Sequence, residues 1–298
     1  MRGLYQIIAN DEIAPEIFSL KIRAPEIAEA VTPGQFVNVY LNDGAMLLPR
    51  PISVADSDRT CITLVYRVVG NGTRILSEMK FSENVEMMGP LGVGFFDYHG
   101  SIIDPSEPKN YTSDRKTVYL IGGGLGIPPL LFAARKIKSI MHGSVVIKAF
   151  LGFAEDPWYI NEFNERCEKV FAISEKNNTT ELCGNVIDLL NEKADKIVYD
   201  DEGKPDKIIS FAPALSCGPK PMLAAAANWC RENNMDIRVS LEERMGCGYG
   251  ACVACVCKTK LIDDKPTEGP KIDLGDGTTK KKVCVHGPVF WGDEVIWD

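Results

Sequence analysis

The chain has 298 residues, of which 33 are Lys or Arg and 41 are Asp or Glu, giving a formal net charge of −8. Hydrophobic residues make up 45% and charged residues 25%, ordinary globular values that exclude a disordered tail or a fibrous repeat. A net-acidic chain without a basic block is poorly suited to a nucleic-acid backbone, and no apolar run nears the roughly 18 residues that a membrane span needs.

The first hundred residues read as β structure. Gln6–Asn10 and Ile17–Ile22 are short strand candidates. Pro33-Gly34 signals a turn before Gln35–Leu41, where apolar and polar residues alternate. Ile52–Ala55, Cys61–Val69 and Val85–Met88 suggest further strands, and Thr73–Met79 one short helix. Short strands between turn signals predict a small antiparallel barrel over residues 1–100. Ser101–Lys116 carries Pro105, Pro108, Asn110 and Asp114 and reads as a linker or insertion.

From Thr117 the rhythm changes. Thr117–Ile121, Val145–Leu151, Val170–Ser174, Ile208–Ser216 and Ile237–Ser240 read as strands. Between them, Ile127–Met141, Asn161–Glu168, a segment starting at Gly184–Leu190, and Pro221–Glu232 read as helices. This alternation predicts a mostly parallel sheet over 117–240, followed by a cysteine-rich segment over 241–298. The expected class is α+β multidomain: an antiparallel barrel, an α/β parallel-sheet domain and a small C-terminal subdomain.

Five of the ten cysteines, Cys247, Cys252, Cys255, Cys257 and Cys284, fall in the last sixth of the chain. The start lacks the layout of a secretory signal, so a reducing, cytoplasmic setting is expected, in which clustered cysteines suggest metal or redox work. Cys247, Cys252 and Cys255 have the C-x4-C-x2-C spacing of plant-type 2Fe–2S proteins. Three thiolates must converge on a small anionic cluster. Gly246, Gly248 and Gly250 let the loop curl and aim backbone N–H groups at sulfur. Zinc is the alternative metal, but zinc knuckles usually come as paired C-x2-C, and the partner is missing. The fourth ligand is either Cys257 or Cys284. Convergence favours Cys284, because Cys257 lies only two residues past Cys255.

Three further segments suit phosphate-bearing cofactors. Arg50-Pro51-Ile52-Ser53 enters a strand, with a forked phosphate donor and a hydroxyl. Gly70-Asn71-Gly72-Thr73 precedes a short helix whose N-terminus suits a pyrophosphate. Gly122-Gly123-Gly124-Leu125-Gly126-Ile127-Pro128-Pro129 joins a strand to a helix without forming the G-x-G-x-x-G fingerprint. Cys217-Gly218-Pro219-Lys220-Pro221-Met222 follows a later strand. Glu155 and Asp156, after the second strand of this region, would repel a 2′-phosphate and favour NADH over NADPH, or else form a solvated loop.

These segments resemble the ferredoxin reductase superfamily. The whole chain resembles the electron-transfer subunits of class 1B dihydroorotate dehydrogenases, most specifically in Glu242–Cys257 and in Cys284-Val285-His286-Gly287-Pro288-Val289-Phe290. The resemblance implies FAD on the barrel, contacted by Arg50, Pro51, Ile52, Ser53, Val65, Tyr66, Arg67, Gly72 and Thr73. It implies NAD(H) at Gly122, Gly123, Gly124, Gly126, Gly218 and Pro219, with Cys217 as the catalytic residue at the point where nicotinamide meets flavin. It also implies a 2Fe–2S cluster on Cys247, Cys252, Cys255 and Cys284, with Cys257 left out. The implied partner is an FMN-containing catalytic subunit that interconverts dihydroorotate and orotate in pyrimidine biosynthesis, in a heterotetramer. Extra length in Ser101–Lys116, Ile197–Lys207 and Lys258–Lys282 departs from the family pattern and leaves the partner-facing surface open. Alternatives of similar chemistry are flavin subunits of NAD(P)H:ferredoxin oxidoreductases, sulfide dehydrogenases or hydrogenases. An alternative of another class is a non-catalytic redox-sensing metal module. A hydrolase is poorly supported, since His99, His142 and His286 are the only histidines and none lies in a G-x-S-x-G or H-E-x-x-H setting. Trp291 and Trp297 are expected to pack the tail onto the body.

Overall fold

The computed structural model describes residues 1–41, 44, 47–96, 116–141, 145–176, 180–194, 214–262, 267 and 269–297. Residues 101–115 of the expected linker, the insertion over 197–207, residues 208–213 of one expected strand, His99 and His142 lie outside them.

The N-terminal part runs β1 (Arg2–Ala14), β2 (Ile17–Arg23), α1 (Pro25–Ala30), β3 (Phe36–Tyr40), β4 (Arg50–Ser57), β5 (Cys61–Arg67), α2 (Asn71–Glu78) and β6 (Asn84–Leu91). The six strands close into an antiparallel barrel in the order β1-β2-β5-β4-β3-β6. Side chains alternate across each strand, so one set fills the barrel. Ile7, Val37, Val39, Val54, Leu64 and Met87 form that interior. The other set of β3, namely Phe36, Asn38 and Tyr40, projects outward. Phe36 is buried in a different core, shared with Cys255, Cys284 and Phe290.

The second part runs β7 (Lys116–Gly123), a 3-10 turn (Gly124–Gly126), α3 (Ile127–Met141), β8 (Val145–Phe153), α4 (Ile160–Asn164), β9 (Lys169–Ser174), α5 (Val186–Lys193), β10 (Ala214–Cys217), α6 (Lys220–Glu232) and β11 (Ile237–Ser240). Helix α4 is shorter than expected. The Arg166 and Cys167 N–H groups both turn back to the Phe163 carbonyl, which ends it. β7 to β11 are mutually parallel. Two cores flank the sheet, one built on α3 and α4 and the other on α5 and α6. Helix α3 also reaches the barrel: Phe132 joins the barrel core and Arg135 pairs with Asp56 of β4 at 2.8 Å.

The C-terminal part holds β12 (Val256–Lys260), β13 (Thr278–Lys282), α7 (Val283–His286) and β14 (Val289–Trp291). β12 and β13 form an antiparallel hairpin. β14 adds antiparallel to β11 at the sheet edge, giving the order β14-β11-β10-β7-β8-β9. Counted along the chain, this is the 3-2-1-4-5-6 order of doubly wound nucleotide-binding sheets. The tail tryptophans pack as expected. Trp291 is buried under Arg238, whose guanidinium lies 4.3 Å from the ring centroid, and the Trp297 indole N–H donates to Gly292 O at 3.2 Å.

One ion pair is buried beneath the hairpin. Lys281 and Glu294 side chains are 2% and 1% exposed, and the ammonium donates to the carboxylate. The other carboxylate oxygen accepts the Trp291 N–H at 3.4 Å. Losing one partner strands a buried charge, at about 3–5 kcal/mol, whereas replacing both by apolar groups is often near neutral. Lys281→Met is therefore expected to lower unfolding stability by that amount in urea titrations, and Lys281→Met/Glu294→Leu to recover most of it. A double variant as unstable as the single one would contradict this account.

Candidate functional site

Strand order reverses between β7 and β10, and doubly wound sheets bind ligands at that point, beyond the carboxyl ends of the strands. Gly122 of β7 pairs in register with Cys217 of β10, so the two glycine-containing loops leave the sheet side by side. They touch backbone to backbone. A Cβ on Gly126 would lie 2.3 Å from the Cys217 carbonyl, and one on Gly123 would lie 2.4 Å from Met222 Sδ. Gly218, at φ +155°, backs onto Gly123 in turn. Gly124 differs: it is left-handed, at φ +53°, and nothing lies within 4 Å of where its Cβ would be. The loop thus presents an open glycine edge at the start of a 15-residue helix, which suits a phosphate. The Cys217 thiol is buried, and burial pushes it up to about 12 despite a hydrogen bond with Ser240. It is a neutral, packed group beside this junction.

The barrel motif abuts the same junction. Val65 of β5 is buried with Ala55 and Ile17, and Leu125 of the glycine loop packs on them. Tyr66 points the other way. Its ring stacks on Phe18 at 5.8 Å and its hydroxyl donates to Asn10 at 3.1 Å. Arg67 is exposed. At the end of the neighbouring strand, Arg50 lies across the N-terminus of α2. A Cβ on Gly72 would sit 2.3 Å from Arg50 Nε, so only glycine lets the guanidinium lie there. Arg50 Nη1 donates to Leu48 O at 2.6 Å, and Thr73 Oγ1 accepts the Val69 and Gly70 N–H groups at 2.9 and 3.3 Å. A cation, a helix N-terminus and a glycine cradle therefore meet in one place. Pro51, Ile52 and Ser53 continue β4 beside β3, in register with Asn38, Val37 and Phe36.

The cysteines come together in pairs. Cys247 N–H donates to Cys252 Sγ at 3.3 Å, and Cys252 N–H to Cys247 Sγ at 3.4 Å. Cys284 N–H donates to Cys255 Sγ at 3.4 Å. The hairpin explains how Cys255 and Cys284 meet across 28 intervening residues. Its first rung is Val256–Lys282, so the residues just outside it are neighbours. Cys257 lies inside the hairpin and turns away, its thiol donating to Lys281 O at 3.6 Å. Burial opposes ionisation of Cys247, but the N–H groups of Cys252, Tyr249 and Ala251 outweigh it and hold that thiol down to about 6. Burial, reinforced by Cys255, pushes Cys284 up to about 12, and burial does the same for Cys257. Among the described residues, no three His, Cys, Asp or Glu side chains converge on a point that one metal ion could take. Four thiols in two pairs match the ligand count of a 2Fe–2S cluster.

Other side chains brace the cysteine loop, among them His286 of the Cys284–Phe290 motif and two that the sequence did not single out, Lys282 and Asn38. Lys282 Nζ donates to Gly250 O at 2.7 Å and clamps the loop. Lys282 N–H donates to His286 Nδ1 at 2.9 Å, so this histidine braces the turn beside Cys284. Asn38 Nδ2 donates to Cys247 O at 2.8 Å. Its signal was present: an asparagine within Phe-Val-Asn-Val is unusual for a buried strand.

A closed barrel joined to a doubly wound sheet, with glycine loops at the switch point and a three-cysteine loop on the barrel's outer face met by Cys284 of α7, defines a ferredoxin reductase-type protein with an added iron–sulfur segment. The family model for the iron–sulfur cluster binding domain of dihydroorotate dehydrogenase B matches residues 242–296. The chain is 35% identical to the dihydroorotate dehydrogenase B (NAD(+)) electron transfer subunit of Geobacillus sp. (strain WCH70), over 97% of this chain and 96% of that one. It is 32% identical to the corresponding subunit of Fusobacterium nucleatum, over 96% and 95%. The chain belongs to the family of dihydroorotate dehydrogenase B electron transfer subunits. Among solved structures it is similar to an NADH-dependent reduced ferredoxin-NADP oxidoreductase, with a TM-score of 0.72 and 26% identity over 99% of this chain and 91% of that one. It shares its fold with a ferredoxin NADP+ reductase from Neisseria gonorrhoeae, at a TM-score of 0.56 and 13% identity over 80% of this chain and 99% of that one.

The two kinds of glycine in the β7 loop respond differently to a methyl group. Gly126→Ala drives a Cβ into backbone and is expected to cost about 3 kcal/mol or more in urea unfolding. Gly124→Ala meets only left-handed strain, about 1–2 kcal/mol. Equal costs would contradict the backbone contact between the two loops.

Proposed function

We propose that this chain carries electrons from NADH to the FMN-containing catalytic subunit of a dihydroorotate dehydrogenase, using FAD and a 2Fe–2S cluster, within a heterotetramer. When bound, FAD exchanges a hydride with the nicotinamide and releases electrons singly, as a one-electron cluster requires. The observation that carries the reading is the seating of two thiol pairs on β3, whose neighbour β4 bears the flavin motif.

Each part of the chain has a distinct task. Residues 1–100 hold FAD. Arg50, Gly72 and Thr73 bind its phosphates, Pro51, Ile52 and Ser53 line its ring, and the Val65–Arg67 backbone borders it. Residues 117–240 hold NADH, with Gly122, Gly123, Gly124, Gly126, Gly218 and Pro219 forming the phosphate and nicotinamide edge. Cys217, neutral and buried, keeps the nicotinamide end dry. Glu155, at the end of β8, stands where an acidic residue accepts the ribose hydroxyls of NADH. Its main chain is fixed by Ser174 Oγ, which donates to Glu155 O at 2.8 Å. Residues 241–298 hold the cluster, with Cys247 and Cys252 on one iron and Cys255 and Cys284 on the other.

Exposure around the thiols gives the relay a direction. Cys252 is exposed, whereas Cys255 and Cys284 are buried against the body. Tyr249, Val253 and Val285 are large apolar side chains left 55%, 54% and 41% exposed around the same loop. Apolar groups gathered beside a redox centre suit a partner surface. Among the described residues no helix is long and apolar enough to cross a membrane. We place this chemistry in a reducing cytoplasm, where thiolates stay available to iron.

The deciding experiment is an anaerobic titration of the reconstituted chain with NADH, followed by visible absorption. Flavin and cluster bands are both expected to bleach. Bands that respond to NADPH alone would move the chain to a ferredoxin:NADP-type role, and a chain that stays colourless after reconstitution would overturn the reading. The ligand assignment has its own test. Cys284→Ser is expected to lose most of its iron by chemical assay, and Cys257→Ser to keep a wild-type iron content. The reverse pattern would exchange the two cysteines.

A further inference from the structure

β3 lies one strand from the flavin motif and one side chain from the cysteine loop. Asn38 is at its centre, opposite Pro51 on β4 and Met88 on β6. Val37 and Val39 fill the barrel, so Asn38 projects outward with Phe36 and Tyr40. Each of the three meets a neighbour beyond the strand. Phe36 shares a core with Cys255 and Cys284, Asn38 bonds Cys247 O, and the Tyr40 ring packs under Arg2 at 4.3 Å.

Asn38 is 0% exposed, yet only part of its amide is satisfied. Nδ2 donates to Cys247 O at 2.8 Å, while Oδ1 is buried with no hydrogen-bond partner among the described residues. A buried acceptor without a partner is a standing cost, and an apolar residue of the same shape would avoid it. What the amide gains is its tie to Cys247. Gly248 shows how close that tie is. At φ +74° it lies flat on the amide, and a Cβ there would be 2.5 Å from both Nδ2 and Oδ1.

We propose that Asn38 is a positioning residue for electron transfer, fixing the Cys247 end of the ligand loop at a set depth against the strand pair that carries the flavin motif. The inference rests on the reading of flavin and cluster given above. Adjacent strands lie about 5 Å apart, so the Asn38 side chain links the strand beside Pro51 directly to the ligand loop. A shift of that loop changes the hydrogen bonds and solvent exposure around the sulfurs, the quantities that set a cluster's potential.

The test compares the full chain, reconstituted with FAD, iron and sulfide without oxygen, with Asn38→Leu and Asn38→Ser. Iron per chain, the flavin absorption band, the electron paramagnetic resonance spectrum of the dithionite-reduced cluster and the fraction of cluster reduced at a fixed solution potential are measured. Both variants are expected to hold iron and to keep the flavin band. Their resonance spectrum is expected to change shape, and the reduced-to-oxidised ratio to move several-fold. Iron-loaded variants with wild-type spectrum and ratio would overturn the inference alone. Variants that lose flavin, iron and their unfolding transition together would also overturn it, since Asn38 would then be a folding residue. A wild-type chain that takes up flavin but no iron would sink the underlying reading of the cluster, which separates the two failures.

Discussion

Three residues, Val289–Trp291, add a strand to the edge of the doubly wound sheet, and the place of the cysteine segment follows from that pairing. Without it the chain after Leu241 would be a tail. With it, Gly287 is drawn against the chain just past β6, where the Val93 N–H donates to Gly287 O at 2.6 Å, and Pro288 O accepts the N–H of Leu241, just past β11, at 2.8 Å. Phe290 is buried with Phe36 of the barrel and Leu223 of α6 in one core. A Phe side chain taken from water contributes about 1.5–3 kcal/mol, and here that burial spans all three parts of the molecule at once. Cys284 is six residues before Phe290, so its position is inherited from this anchor.

The same anchoring shows why some of the site was legible in the sequence and some was not. Ile127–Met141 and Ile237–Ser240 could be read to the residue, because an apolar-periodic helix with proline in its first turn and a buried apolar strand carry local signals. The glycine loops and the C-x4-C-x2-C run were legible for a similar reason: backbone approach and ligand convergence restrict residue type at fixed spacing. β14 was hidden. Three apolar residues near a terminus look like tail packing, and only a partner strand 50 residues earlier makes them a strand. The hairpin of β12 and β13 was hidden too, since Lys-rich Thr278–Lys282 has no alternating apolar pattern. Lys281 is buried only because Glu294 meets it.

Asn38 and Lys282 belong to a third category. Each makes its bond to the cysteine loop through a main-chain carbonyl, of Cys247 and Gly250 respectively. Such a contact asks nothing of the residue type that receives it. It leaves no spacing rule, only a polar residue at an odd place in a strand. The loop is therefore fixed from two sides, by the barrel at Cys247 and by the end of the hairpin at Gly250, while its tip stays open to solvent.

The β12–β13 hairpin has a consequence for how such chains change over time. Cys255 and Val283 flank its open end, joined by the Val283 N–H to Cys255 O bond at 2.9 Å, so the thiols are set by the rungs nearest them rather than by the chain at the far end. Doubling a flexible loop costs only about 0.6 kcal/mol in closure entropy. The hairpin acts as a length buffer: changes in chain length beyond its last rung are absorbed there, except where the chain returns to the site at Gly269, which packs on His286. Spacing between Cys255 and Cys284 is then a poor criterion for recognising distant members of the family, and the turn is a natural port for grafting a reporter or an affinity segment into this electron carrier.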